Sequence, residues 1–134
     1  VATSANDAKN LDMAKGQLAN TYLMQAVEAQ KAKKWAEVAA NAGKSLELKE
    51  SANAALLAGV GNFQQKKYSA AIPALEKAAS LENRDAQQQN IAYYLAVSYD
   101  ASGNKTKACQ NFRKVVNNPQ FKAYAESKIK TLCN

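Results

Sequence analysis

The chain has no histidine, and it has only two cysteines, two prolines and five glycines among 134 residues. Without histidine, it lacks the side chain that most often serves as a general base or a metal ligand. The scarcity of glycine and proline argues against many strands joined by tight turns. No stretch approaches the roughly 20 uninterrupted apolar residues of a membrane-spanning helix. These absences exclude many enzyme classes and favour a chain with few turns.

Alanine occupies 28 of the 134 positions. Because alanine loses the least conformational freedom on helix formation, this composition favours helix nearly throughout. Hydrophobic residues make up 47% of the chain and charged residues 22%, which is enough apolar surface for a core. The length suits one domain. We therefore expect a single all-α domain.

The chain carries an internal repeat. KKWAEVAANAGKSLEL at 33–48 aligns with KKYSAAIPALEKAASL at 66–81 at an offset of 33 residues, and NKTKACQNFRKVV at 104–116 aligns with the second copy at an offset of 37. Each copy follows a stretch with apolar residues three and four positions apart, at 18–33, 51–65 and 87–102. The repeating unit is therefore predicted to be two helices joined by a short turn.

These units resemble the tetratricopeptide repeat (TPR) family, whose pattern places W-x2-L-G-x2-Y before A-x3-F and a proline. In the second unit Asn62 stands where tyrosine is expected, and the first unit diverges further. The third unit matches best, through Ala92, Leu95, Ala96, Tyr99, Ala108, Phe112, Val115 and Pro119. The resemblance covers about 18–119 and implies a right-handed superhelical solenoid of about three repeats. A plain helical bundle is the alternative.

The resemblance divides the single domain at 1–134 into repeats at 18–50, 51–86 and 87–119 and a capping helix at 120–134. Residues 1–17 are expected to form an N-terminal helix or part of an incomplete leading repeat. Local chemistry supports several boundaries, since Ser51 and Ser69 can cap helix N termini and Gly103-Asn104 can end a helix.

In the TPR family the first helix of each pair lines a concave groove. The groove-lining positions hold no lysine of the kind that would bind a C-terminal carboxylate. The asparagine side chains at these positions can hold an extended peptide backbone through paired hydrogen bonds. We therefore expect the groove to bind an apolar or amphipathic peptide segment. The alternative is that residues 1–16 or a second copy cover it. The residues carried over are Asn20, Leu23, Val27, Asn53, Leu56, Val60, Phe63, Asn90, Tyr93 and Val97.

Lysines cluster at the predicted turns, in a chain whose formal charge is +7. If the helix pairs stack, these lysines form one basic ridge that can contact an anionic membrane, or that serves only solubility and the helix C termini. No aromatic residues are interleaved with them, so nucleic-acid binding is not favoured. The ridge comprises Lys31, Lys33, Lys34, Lys66, Lys67, Lys105 and Lys107.

Cys109 and Cys133 lie in helices predicted to run antiparallel, so their sulfurs can meet in a disulfide or remain two free thiols. A bridge would indicate an oxidising compartment, such as a bacterial periplasm or the cell exterior. The chain does not begin with methionine, and an upstream signal would fit that location. With free thiols we expect a cytoplasmic protein.

Motifs of catalysis are missing from the sequence. It has no phosphate-binding loop and no nucleophile elbow, and GVGNF at 59–63 is predicted to be part of a helix. We therefore expect a non-enzymatic protein-binding scaffold without cofactor or metal. The alternatives are a structural or self-associating module, and an electrostatic binder of anionic surfaces through the ridge.

Overall fold

The computed structural model describes residues 5–133, which form seven α-helices and no strand. The all-α prediction is confirmed. The helices are α1 (Ala5–Lys31), α2 (Trp35–Leu48), α3 (Ala52–Gln64), α4 (Tyr68–Leu81), α5 (Asp85–Ala101), α6 (Lys105–Val115) and α7 (Lys122–Leu132).

The helices pack in series. Each one contacts chiefly its neighbours in sequence, and smaller contacts join α1 to α3 and α3 to α5. As a result, α3 lies between α2 and α4, and α5 lies between α4 and α6, whereas α1 has α2 as its one large neighbour. The first helix is therefore the least enclosed of the three that begin a hairpin.

Equivalent positions of α2, α4 and α6 contribute to the core. Ser45 is the one polar residue in this set, and its hydroxyl donates a hydrogen bond to the carbonyl of Ala19 at 2.7 Å. That bond satisfies the buried hydroxyl and joins α2 to α1. Nine residues, spaced by the offsets of 33 and 37, are buried alike: Val38, Ala71 and Ala108; Ala42, Leu75 and Phe112; Ser45, Ala78 and Val115.

Two glycines let α3 approach both of its neighbours closely. A Cβ added at Gly59 would lie 2.6 Å from Leu75 Cδ2, and one added at Gly61 would lie 2.6 Å from the backbone nitrogen of Ala39. Both glycines lie within α3, so the GVGNF segment is helical, as predicted.

The helices α1, α3 and α5 each end in a turn of the same type. Lys33, Lys66 and Gly103 take left-handed φ angles of 57°, 62° and 85°. In each turn the amide of the next residue donates to a carbonyl five residues back at 2.9 Å. This is a Schellman motif, in which the left-handed residue lets the chain satisfy the last helical carbonyls.

Among the described residues, side-chain caps begin two of the helices. Ser51 accepts a hydrogen bond from the amide of Ala54 at 3.1 Å, which confirms it as a cap, and Asn104 accepts one from the amide of Lys107 at 3.1 Å. The cap predicted at Ser69 is wrong. α4 begins at Tyr68 because the left-handed turn at Lys66 brings the chain into helix before residue 69.

The expected boundary between 1–17 and 18–50 is not found in the part of the chain that the structure describes. Helix α1 runs from Ala5 to Lys31 without a turn, because Gly16 is tolerated inside a helix and no proline or cap interrupts the stretch. Residues 1–4 of the predicted leading segment lie outside the described residues.

Candidate functional site

Side chains of α1, α3 and α5 meet at a small cavity of about 260 Å³. The apolar part comes from Leu23 and Val27 of α1 and from Leu56 of α3, all of them half-buried. Asn53 lies beside them and is exposed. The structure thus brings four predicted groove residues together from two helices. Three residues that we did not predict complete the lining: Gln30, Leu57 and Gln87.

A second cavity, of about 500 Å³, lies between α5 and the start of α7. We call it the tyrosine cleft. Tyr93 stacks on Phe121 with ring centroids 4.4 Å apart and planes 9° from parallel. Only Asn90 and Tyr93 were predicted for the groove. The complete lining is Asn90, Tyr93, Tyr94, Gln120, Phe121 and Tyr124, which includes no acidic or basic residue.

Two tyrosine hydroxyls and a carboxamide supply polar groups to the tyrosine cleft. Burial raises the pKa of the Tyr93 and Tyr94 hydroxyls above the usual value of 10.0, so both phenols keep their protons. Asn90 Nδ2 donates to Gln87 Oε1 at 2.9 Å, which holds the carboxamide in place. The cleft therefore offers aromatic surface together with neutral hydrogen-bonding groups.

Other predicted groove residues lie elsewhere. Val60 is only 7% exposed and belongs to the core, because the close approach of α3 to its neighbours covers it. Phe63 and Val97 are half-buried against the larger cluster of buried residues, which α3 to α7 form. Asn20 borders a separate cavity of about 280 Å³ that also includes Leu23. The predicted ten-residue groove is thus divided into smaller cavities.

A disulfide joins Cys109 of α6 to Cys133, which follows α7, with Cα atoms 5.5 Å apart. Of the two alternatives for these cysteines, the structure has the bridge. Lys128 of α7 also binds Asp100 of α5, with Nζ 2.9 Å from Oδ2. These links hold α7 against α5 and α6, and so position Phe121 in the tyrosine cleft.

The lysines of the predicted ridge are all exposed and lie at or beside the turns that follow α1, α3 and α5. Lys33 and Lys66 hold equivalent turn positions. Lys31 pairs with Glu28 at 3.1 Å, and Lys107 Nζ lies 5.4 Å from the centroid of the Tyr99 ring. Their alignment along one edge stays a prediction.

Sequence reasoning missed how unevenly the charge is distributed. The first 104 residues hold 11 basic and 10 acidic side chains, whereas residues 105–134 hold seven basic side chains and one acidic one. Counting charges by segment would have found this signal. Nearly all of the net charge therefore lies on α6 and α7.

Helix α1 has an exposed outer surface. Residues 5–15 are exposed throughout, so the alternative that residues 1–16 cover the groove is wrong for those that the structure describes. A cavity of about 650 Å³, which includes Met24 and Ala32, opens between α1 and α2. Four of the six exposed large apolar side chains found in the described residues belong to α1: Leu11, Met13, Leu18 and Met24.

Between residues 5 and 133, no group of three or more cysteine, aspartate or glutamate side chains could hold a metal ion. None of the described helices has both the length and the hydropathy needed to cross a membrane. No protein-family model matches the chain, and comparisons with curated proteins and with solved structures find no match.

Proposed function

We propose that this chain is a non-catalytic TPR-type scaffold that binds an apolar or amphipathic peptide segment. In this proposal the three hairpins form a right-handed solenoid, α7 caps its C-terminal end, and the ligand lies along α1, α3 and α5. The matching left-handed turns and the equivalent buried positions support the repeat. Repeats of this kind stack so that equivalent helices share one surface.

The observation that carries the proposal is the cavity between α1 and α3. Half-buried Leu23, Val27 and Leu56 can bury further area against a ligand side chain. Exposed Asn53 next to them can both donate and accept hydrogen bonds with a peptide backbone. A surface of this kind suits an extended peptide or the apolar face of a helix.

The disulfide supports an oxidising location for the scaffold, such as a bacterial periplasm or the cell exterior. Disulfides persist in those compartments, whereas cytosolic thiols are usually kept reduced. A bridge between α6 and the end of α7 would keep the capping helix docked there.

The proposal is tested by selecting binders to the immobilised protein from a displayed library of random peptides. We expect apolar or amphipathic sequences that bind the wild type and lose at least about ten-fold in affinity against Leu56→Glu. Asn53→Ala, at an exposed position, provides a second variant that leaves the core intact. Leu81→Glu is the matched control, because Leu81 is exposed on α4, outside the groove.

The selection needs a check of folding and has results that would contradict the proposal. Circular dichroism melts establish that the compared variants are folded. No enriched peptide, or equal loss of binding in Leu56→Glu and Leu81→Glu, would overturn the proposal. Binding that Asn53→Ala leaves unchanged would place the peptide away from this cavity.

The exposed surface of α1 favours a second candidate function, self-association. Leu11 and Leu18 are 59% and 46% exposed and lie seven residues apart on one helix face. A second copy, packing along α1, would bury them. Sedimentation velocity from about 10 to 300 μM should then show a dimer that Leu11→Glu with Leu18→Glu abolishes. A monomer throughout this range would contradict self-association.

A further inference from the structure

All seven ridge lysines lie at one end of the helix array. Connections of three residues join each of the helices α1 to α5 to the next, and α5 to α6. Helices that contact each other across such short connections run antiparallel, so the turns that follow α1, α3 and α5 lie at the same end. The disulfide between Cys109 and Cys133 places the last residues of α7 there as well. We call this end of the molecule the turn end.

Positive charge is concentrated at the turn end when residues are grouped by position in the fold and not by segment. The residues within eight positions of Lys33, Lys66 or Gly103, together with residues 128–133, include nine basic and three acidic side chains. The other described residues include nine basic and eight acidic side chains. The excess of positive charge therefore lies mainly at the turn end.

Carboxylates neutralise little of this charge. In the described part of the chain, Lys31 is the one ridge lysine that forms an ion pair, and both it and its partner Glu28 are exposed, so their attraction is weak. Asp100 is bound to Lys128, which does not belong to the ridge. The turn end thus has a field that attracts anions.

Two of the ridge lysines have a backbone conformation that glycine adopts more readily. Lys33 and Lys66 have φ angles of 57° and 62°, and glycine stands at the equivalent position of the third turn, Gly103. The Cβ of lysine makes the left-handed region unfavourable. A strained residue at two equivalent, exposed positions points to a role for its side chain other than folding.

We propose that the turn end docks on an anionic phospholipid surface. The lysines of three hairpins face the headgroups, and the helices extend away from the bilayer, which leaves the cavity between α1 and α3 open to a peptide. Each lysine near an anionic leaflet adds to the attraction, within a Debye length of about 8 to 10 Å. This inference goes beyond peptide binding and does not depend on it.

The chemistry of the turn end favours a lipid surface over a nucleic acid. Every ridge residue is a lysine, whereas arginine is the residue suited to bidentate contacts with phosphates and bases. The two rings beside the ridge are half-buried: Trp35 packs against the buried residues of α1 to α3, and Tyr68 meets the ring of Phe63 edge-on. Base stacking needs free ring faces, and a surface of mobile headgroups does not.

Two triple variants with the same change in net charge test the proposal by sedimentation with lipid vesicles. Lys34→Glu, Lys67→Glu and Lys105→Glu reverse charges of the turn end at helix N termini, where acidic side chains are favourable. Circular dichroism melts establish that the variants are folded. The control reverses three exposed lysines away from the turn end: Lys9→Glu, Lys15→Glu and Lys122→Glu.

We expect the wild type to bind vesicles of phosphatidylcholine with phosphatidylglycerol at about 100 mM salt, and not vesicles of phosphatidylcholine alone. The turn-end triple should lose at least about ten-fold in vesicle affinity and the control triple less than about three-fold. Lys33→Gly with Lys66→Gly should be more stable in urea yet bind the vesicles at least about five-fold more weakly.

Trp35 is the one tryptophan of the chain and begins α2 at the turn end. Energy transfer from its indole to a dansyl-labelled headgroup therefore reports which end faces the vesicle. In Trp35→Phe with Leu81→Trp the donor moves to the end of α4, at the other end of the array. Transfer should be stronger from residue 35 than from residue 81, and equal transfer would contradict the docked orientation.

Several results would overturn the inference. Equal binding to both kinds of vesicle, or equal loss in both triple variants, would show that the turn end does not recognise anionic lipid. Tighter binding of a 20-nucleotide thymidine strand or of polyglutamate, lost in the turn-end triple, would identify a different partner class. Peptides from the selection should bind the turn-end triple as they bind the wild type, so a failure of vesicle binding leaves the scaffold proposal standing.

Discussion

Lys66 and Gly103 occupy the same position in two successive turns, with φ angles of 62° and 85°. Lysine has a Cβ that makes this left-handed conformation unfavourable, whereas glycine adopts it readily. We therefore expect Lys66→Gly to raise the free energy of unfolding by roughly 1 kcal/mol in a urea titration.

The neighbouring lysine provides the control for this substitution. Lys67 has a φ of −91°, so Lys67→Gly should bring no such gain. Equal effects of the two substitutions would contradict the turn geometry.

A second prediction concerns the close approach of α3 to α2 at Gly61. Gly61→Ala would place a methyl group 2.6 Å from the backbone nitrogen of Ala39, where no flexible side chain can yield. We expect a loss of about 1 to 3 kcal/mol by chemical denaturation, as for other overpacked cores. Gly43→Ala has no neighbour within 4 Å and should stabilise α2 slightly through helix propensity. A stable Gly61→Ala protein would show that the two helices lie further apart.

The disulfide should contribute to stability. It joins residues 24 positions apart, and closing a loop of that length stabilises a protein by about 3 kcal/mol. Reduction, or Cys109→Ala with Cys133→Ala, should lower the thermal midpoint. Intact mass after alkylation without reductant should show no modified thiol, and two alkylated cysteines would contradict the bridge.

Glu82 should make the folding stability of the protein depend on pH in the acidic range. Hydrogen bonds from the Arg84 side chain and backbone amide lower the pKa of Glu82 from 4.5 to about 2. Because the folded pKa lies below the ordinary value, the stabilisation is complete above about pH 4.5 and disappears as the pH falls towards 2.

Thermal melts across this pH range test the role of Glu82. Glu82→Gln should reduce the decline in melting temperature on acidification, whereas Glu47→Gln, at an exposed site on α2, should leave it unchanged. An identical decline in wild type and Glu82→Gln would show that Glu82 does not cause it.

Much of the helical layout could be predicted from the sequence, because apolar spacing and caps are local signals. Ser51 was identified as a cap since its chemistry acts within three residues of the chain. Ser69 failed as a cap because the turn before it, and not the serine, determines where the helix begins. The uninterrupted α1 was missed because Gly16 alone does not stop a helix.

The candidate site was less predictable, since it depends on how closely helices approach each other. Val60 has the spacing of a groove residue, but the packing of α3 buries it. Phe121 belongs to the site because its ring stacks on Tyr93. Sequence spacing alone could not show that these two residues, which belong to separate parts of the chain, are in contact. The excess of basic residues at 105–134, which our sequence analysis missed, could have been found by counting charges along the chain.

In the proposed scaffold a peptide binds along α1, α3 and α5. The most direct measurement is the shift of backbone amide resonances in isotope-labelled protein when a selected peptide is added. We expect the largest shifts at Leu23, Val27, Asn53 and Leu56, with further shifts at Tyr93 in the tyrosine cleft. Shifts confined to α2 and α4, or to residues 5–15 of α1, would contradict it.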